Sequence, residues 1–349
     1  MDLFFIEYRD PIFGLILLSA IVFVIAFSSY IWGIFYGRKK RRRLVRFINK
    51  FNSQTSLSQK HREMLSSFDV DTQTLGLLAN AFVKSGDFDK AISVYLIALD
   101  KASNQAEKEW ALTELGSAYF RAGFLLRAAE VFTEALSFRA RNLTALRLYV
   151  VVCERLRRFD DALEALRALE ELGSDVSSAI AYIKAQIIIS NRELSLNERI
   201  SEVSKQCSSF ELYKRMCMQA YMSENGSLAG YAFEFAPLKD VLDIVYFQSD
   251  GVNLKDPEYA ALFYAKSELD TPELSAKNAL SAMSFELRSL SALRKAKLSY
   301  ATLSFGYVCA SCKASLPMHF YRCPVCHELK SCKILPHLTE KSDENSMPF

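Results

Sequence analysis

Glu114-Leu115-Gly116-Ser117-Ala118-Tyr119-Phe120-Arg121-Ala122-Gly123-Phe124-Leu125-Leu126-Arg127-Ala128-Ala129-Glu130 is the stretch that decides the fold. Gly116 and Tyr119 lie on one helical face ahead of a short turn at Ala122-Gly123-Phe124. A second helix follows, in which Ala128 precedes the large Phe132 by four residues and Ala135 continues the face. Small residues let two antiparallel helix backbones approach, and large ones fill the hole opposite. The stretch therefore reads as a packed helical hairpin.

The same pattern occurs twice more. Upstream stand Ala79 and Phe82, then Gly86-Asp87-Phe88-Asp89-Lys90-Ala91, Tyr95 and Ala98. Downstream stand Leu146 and Val150, then Arg158-Phe159-Asp160-Asp161-Ala162, Leu166 and Leu169, with Cys153 in place of the aromatic. Agreement at several positions in three segments disfavours a bundle with a coincidental period. Such hairpins stack into a solenoid with a concave protein-binding face. Only 12 glycines and 8 prolines in 349 residues fit long helices and not a turn-rich β protein. The spacing resembles the tetratricopeptide repeat. One known use of that repeat is a clamp of Lys and Asn on a C-terminal carboxylate. Asn80 fits it, but Gly76 stands where the lysine belongs, so no clamp is expected. Beyond Gly173 the consensus decays, although 179–190, 196–207, 210–222, 259–266 and 272–282 still read as helices. Residues 233–252 read as an irregular connection.

Residues 12–36 carry no charge and are rich in Ile, Leu, Val, Phe and Ala. At about 1.5 Å per residue they are long enough to cross the roughly 30 Å core of a bilayer. The acidic first ten residues and the length of the run argue against a cleaved signal peptide. A basic block, Arg38-Lys39-Lys40-Arg41-Arg42-Arg43, follows the run. The positive-inside rule then places it and the bulk of the chain in the cytoplasm. The block explains the net charge of +3, and elsewhere acidic residues slightly outnumber basic ones. This leaves no general case for a nucleic-acid partner.

Chemistry concentrates near the end. Cys309-Ala-Ser-Cys312 and Cys323-Pro-Val-Cys326 supply four thiolates in two C-x-x-C knuckles, a donor set suited to one Zn or Fe ion. In a reducing compartment two disulfides are the weaker reading. Residues 317–321 read as a short strand, and Tyr307, Phe320 and Tyr321 as apolar cover for a module folded by its metal. His319, His327 and Cys332 are secondary ligand candidates. Cys153, Cys207 and Cys217 read as small buried hydrophobes. No phosphate-binding glycine loop, H-E-x-x-H helix or nucleophile elbow is present, and no enzyme is expected.

The expected fold class is all-α. A transmembrane helix is followed by a tetratricopeptide-repeat solenoid, with a small four-cysteine module, rubredoxin- or zinc-ribbon-like, at the C-terminus. The expected divisions are 1–11 outside the membrane, 12–36 spanning, 37–60 basic segment and linker, 61–300 repeats, 301–337 metal module and 338–349 tail. In this order, the parts resemble the lipopolysaccharide assembly protein B family of bacteria. The likeness is carried by 114–130, which is similar to that family's LG-x-x-Y-x-x-AG-x-x-x-RAE repeat, and by the cysteine knuckles of 307–334. Lys313 and His327 depart from it, standing where a glycine often follows a rubredoxin knuckle. The resemblance implies a single-pass adaptor of the inner membrane that presents an LpxC-type deacetylase of lipid A synthesis to an FtsH-type membrane protease. It leaves a homo-oligomer open. A rubredoxin-type electron carrier, a nucleic-acid-binding ribbon on Lys313, Arg322, Lys330 and Lys333, and a general scaffold for another membrane complex are the competing readings.

Overall fold

The structure, a computed structural model, describes residues 59–67, 70–249, 252–266, 274–298 and 300–341. The expected span at 12–36 and the basic residues Arg38 to Arg43 lie outside the described residues. Among the described residues, no helix is long and apolar enough to cross a membrane. The chain divides into two compact units at residue 145.

The first unit holds α1 (Gln59–Ser67), α2 (Thr72–Ser85), α3 (Phe88–Lys101), α4 (Gln105–Arg121) and α5 (Leu125–Phe138). Helix α2 packs on α3, α3 on α4, and α4 on α5. The small-against-large rule is visible atom by atom. A Cβ on Gly116 would sit 2.7 Å from the Phe132 ring, and one on Gly76 would sit 2.1 Å from the Trp110 indole. Gly76, at the place a clamp lysine would need, is thus the floor on which α4 rests its tryptophan. Gly76→Ala is expected to cost about 1–3 kcal/mol through overpacking, read as a lower urea midpoint at unchanged slope.

The turns repeat as well. After α2, Gly86 adopts φ +85° and the Asp87 N–H donates to the Phe82 carbonyl at 2.9 Å. After α4, Gly123 adopts φ +83° and the Phe124 N–H donates to the Tyr119 carbonyl at 2.9 Å. The third copy keeps the bond, Arg158 N–H to the Cys153 carbonyl at 2.9 Å, yet places Arg157 at φ +58°. This left-handed helix cap is what glycine makes easy.

The second unit begins within α6 (Leu143–Arg155) and continues through α7 (Phe159–Glu171), α8 (Ser177–Ser190), α9 (Leu196–Gln206) and α10 (Tyr213–Asn225). Then come α11 (Leu238–Val245), α12 (Pro257–Ala265), α13 (Leu274–Ala282) and α14 (Phe285–Lys295). Helix α8 packs against α7, α9 and α10. Helix α11 falls inside the segment read as an irregular connection. Its apolar residues Leu238, Val241, Leu242 and Val245 recur at helical spacing and are buried.

The described residues end in a three-stranded antiparallel sheet of order β2-β1-β3, with β1 (Ala301–Cys309), β2 (Ser315–Leu316) and β3 (Cys332–Glu340). The all-α expectation is corrected here, since two nine-residue strands pair over their whole length. The strand expected at 317–321 is absent. Pro317 follows the two-residue β2, and the chain turns there to carry Tyr321 and Arg322 toward the helices. The sheet extends to Glu340, past the boundary expected at 337, and rests on α11 and α14.

Candidate metal centre

The β1–β2 turn carries Cys309 and Cys312, and the loop before β3 carries Cys323 and Cys326. Their four sulfurs all lie within 4.8 Å of one another. Cys309 and Cys326 approach to 3.6 Å, and Cys312 and Cys323 to 3.7 Å. Four sulfurs placed tetrahedrally about 2.3 Å from a zinc ion would be about 3.8 Å apart. A disulfide would need about 2.05 Å. The spacing therefore matches one tetrathiolate ion and not two disulfides. Four thiolates this close repel strongly without a cation, so a divalent ion is the natural complement.

Both knuckles have the same backbone. Lys313 N–H donates to the Cys309 carbonyl at 3.0 Å, and His327 N–H to the Cys323 carbonyl at 2.9 Å. Cys309 N–H reaches the Ala314 carbonyl and Cys323 N–H the Glu328 carbonyl, each at 2.9 Å. Lys313 and His327 both adopt φ +63°. The glycine geometry is kept without glycine. Lys313→Gly should relieve this strain and raise stability by about 0.5–1 kcal/mol, measured on the metal-loaded protein.

Ser331 Oγ lies 3.3 Å from Cys309 Sγ. Its hydroxyl pulls that thiol down to about 6 against the opposing effect of burial, and the N–H groups of Cys312 and Ser311 add to the pull. The secondary candidates stand apart from the four sulfurs. His319 contacts the rings of Tyr307, Phe320 and Tyr321. Burial, with the nearby Arg215 charge, pushes its imidazole down to about 4. Burial also lowers His327 and raises the Cys332 thiol.

The module is fixed to its own unit by side chains the sequence did not single out for that task. Arg322 Nε meets Glu154 Oε2 of α6 at 2.7 Å, with side chains only 13% and 10% exposed. Tyr321 contacts the rings of Tyr182 and Phe210, and its hydroxyl donates to Gln219 at 2.8 Å. Lys330 reaches Ser178 and Glu211. Tyr307 donates to Asp243 at 2.8 Å, and Asp243 in turn holds Arg215 through two bonds of 2.6 and 2.8 Å. Arg322 and Lys330 thus have carboxylate partners and are not offered as a basic face for nucleic acid.

Among the repeat residues, Ala79, Ala91, Tyr95, Ala98, Gly116, Tyr119, Ala128, Phe132, Ala135 and Ala162 are buried. Phe82 is half-buried, with the Lys90 ammonium 5.7 Å from its ring centre.

A tetratricopeptide repeat family model matches the chain twice, over residues 77–142 and 113–177. No curated protein is significantly similar in sequence. Among solved structures, a crystal structure of MamA protein is similar over 48% of this chain and 98% of its own, at 15% identity and a TM-score of 0.32. A tetratricopeptide repeat protein from Parabacteroides merdae aligns over 63% and 98%, at 17% identity and a TM-score of 0.35. BtubC (BKLC) from P. vanneervenii aligns over 57% and 94%, at 16% identity and a TM-score of 0.28. The family model, together with the recurring turn, identifies residues 77–177 as tetratricopeptide repeats.

Proposed function

We propose that this chain is a protein-binding scaffold whose later helices are held in shape by a tetrathiolate metal module. The observation that carries this reading is the buried pair of Arg322 with Glu154, beside Tyr321 seated on Tyr182 and Phe210. A module used only to carry an electron would have no need to be bolted to repeat helices. Repeats of this type recognise other proteins through their surfaces.

The finer reading combines this scaffold with the sequence of residues 12–43. The uncharged run anchors the chain in a bacterial inner membrane, and Arg38 to Arg43 hold the repeats on the cytoplasmic side. There the scaffold presents an LpxC-type deacetylase to an FtsH-type protease and so restrains lipopolysaccharide synthesis, as its resemblance to the lipopolysaccharide assembly protein B family implies. Cross-linking the membrane-embedded protein, followed by mass spectrometry of its partners, tests this. Recovery of the protease together with the deacetylase supports it. Recovery of another membrane complex without either supports the general scaffold instead.

A further inference from the structure

Cys332 is a fifth thiol beside the metal centre, and it faces a ligand. It is the Cα partner of Cys309 in the β1–β3 ladder. Ala310 N–H donates to the Ser331 carbonyl across that ladder, while Cys309 N–H turns the other way, to Ala314. Cys309 and Cys332 are therefore a non-hydrogen-bonded pair. Such partners lie about 4.5 Å apart at Cα with both side chains on one face, inside the range of about 4.4–6.8 Å that a disulfide spans. Cys332 is half-buried and outside the four-sulfur cluster, whereas Cys309 is fully buried. With the four ligands engaged, Cys332 is the thiol of the described module left free of the metal.

We propose that Cys332 makes the metal centre responsive to hydroperoxides by forming a disulfide with Cys309. The inference rests on the metal reading above. In the first step the Cys332 thiol gives up its proton and the thiolate sulfur attacks hydrogen peroxide. The O–O bond breaks, the thiol becomes a sulfenic acid by a two-electron oxidation, and water leaves. In the second, the electron pair that Cys309 gave the metal attacks the Cys332 sulfur. The S–S bond forms, the S–O bond breaks, and the departing hydroxide takes up a proton to become water. One thiol, one thiolate, one peroxide and one proton thus give one disulfide and two waters. With Cys309 in the disulfide, only Cys312, Cys323 and Cys326 would remain to hold an ion, and their affinity for it would fall. Tyr321 and Arg322 lie in the loop that the metal organises, so the oxidised module loosens its hold on α6, α8 and α10.

The test uses the full chain loaded with zinc and treated with hydrogen peroxide. Zinc release is followed with a chromophoric chelator, and the first disulfide is mapped by mass spectrometry. The wild type should release zinc with Cys309–Cys332 as the first disulfide, and Cys332→Ser should release it several-fold more slowly. Equal release rates, or first disulfides confined to the four ligands, would overturn the proposal. The map on the wild type stands even if Cys332→Ser folds poorly, and Cys332→Ala provides a second comparison. Untreated wild type that takes up no zinc would instead sink the metal reading itself.

Discussion

Cys323→Ser combined with Cys326→Ser is expected to abolish metal binding and to lower the thermal midpoint of the second unit by roughly 8–16 °C. The figure follows from losing about 4 kcal/mol in a unit of this size, where 1 kcal/mol moves the midpoint by about 2–4 °C. That energy is well below the roughly 10–16 kcal/mol by which zinc folds isolated finger peptides. The difference has a physical source. Part of the loop is also held by Arg322, Tyr321 and Lys330 through partners on the helices, so the ion is not its sole support. Differential scanning calorimetry with parallel metal analysis checks it. A double mutant that loses its metal with an unchanged midpoint would remove the structural role assigned to the centre.

Asp243→Ala is expected to cost about 3–5 kcal/mol, because it strands a buried guanidinium. The Arg215 side chain is 2% exposed and the Asp243 side chain 7%, and the pair is bidentate. Tyr307 of β1 donates to the same carboxylate, so one residue ties α10, α11 and the sheet together. Burial alone would raise the Asp243 pKa, but the hydrogen bonds and charge of Arg215 outweigh it and hold the carboxyl below its usual range. A depressed folded-state pKa means the contribution is complete above the unfolded value, near pH 4. It is then lost as pH falls further, through the folded-state value. The wild type should therefore lose stability below about pH 4, and Asp243→Ala should lose less over the same interval. Parallel acid-unfolding curves for the two proteins would contradict the assignment.

The features legible in the sequence were those encoded locally. Gly116 and Phe132, or Ala91 and Tyr95, declare their packing through spacing within one hairpin, and C-x-x-C knuckles mark out a four-cysteine cluster suited to a metal through residue type alone. What escaped was encoded across long separations. Nothing near Arg322 announces Glu154 as its partner, and the weakly basic ribbon gives no sign that Arg322 and Lys330 face the carboxylates of Glu154 and Glu211. Strand β3 was hidden because Pro336 and the exposed Leu335 and Leu338 blur the alternation that marks a strand. Its pairing with β1 spans the entire metal loop. The left-handed turns at Arg157, Lys313 and His327 were missed for a related reason. Their conformation is imposed by the surrounding hydrogen bonds and not by the residue, so the absence of glycine was a misleading signal.

The central claim is that the metal module and the helices of the second unit around it form one mechanical body. Amide hydrogen exchange in α8 (Ser177–Ser190) and α10 (Tyr213–Asn225), before and after metal removal under reducing conditions, tests this most directly. Faster exchange in both helices once the metal is gone is the predicted result. Exchange that quickens only in residues 309–331, with α8 and α10 unchanged, would contradict it.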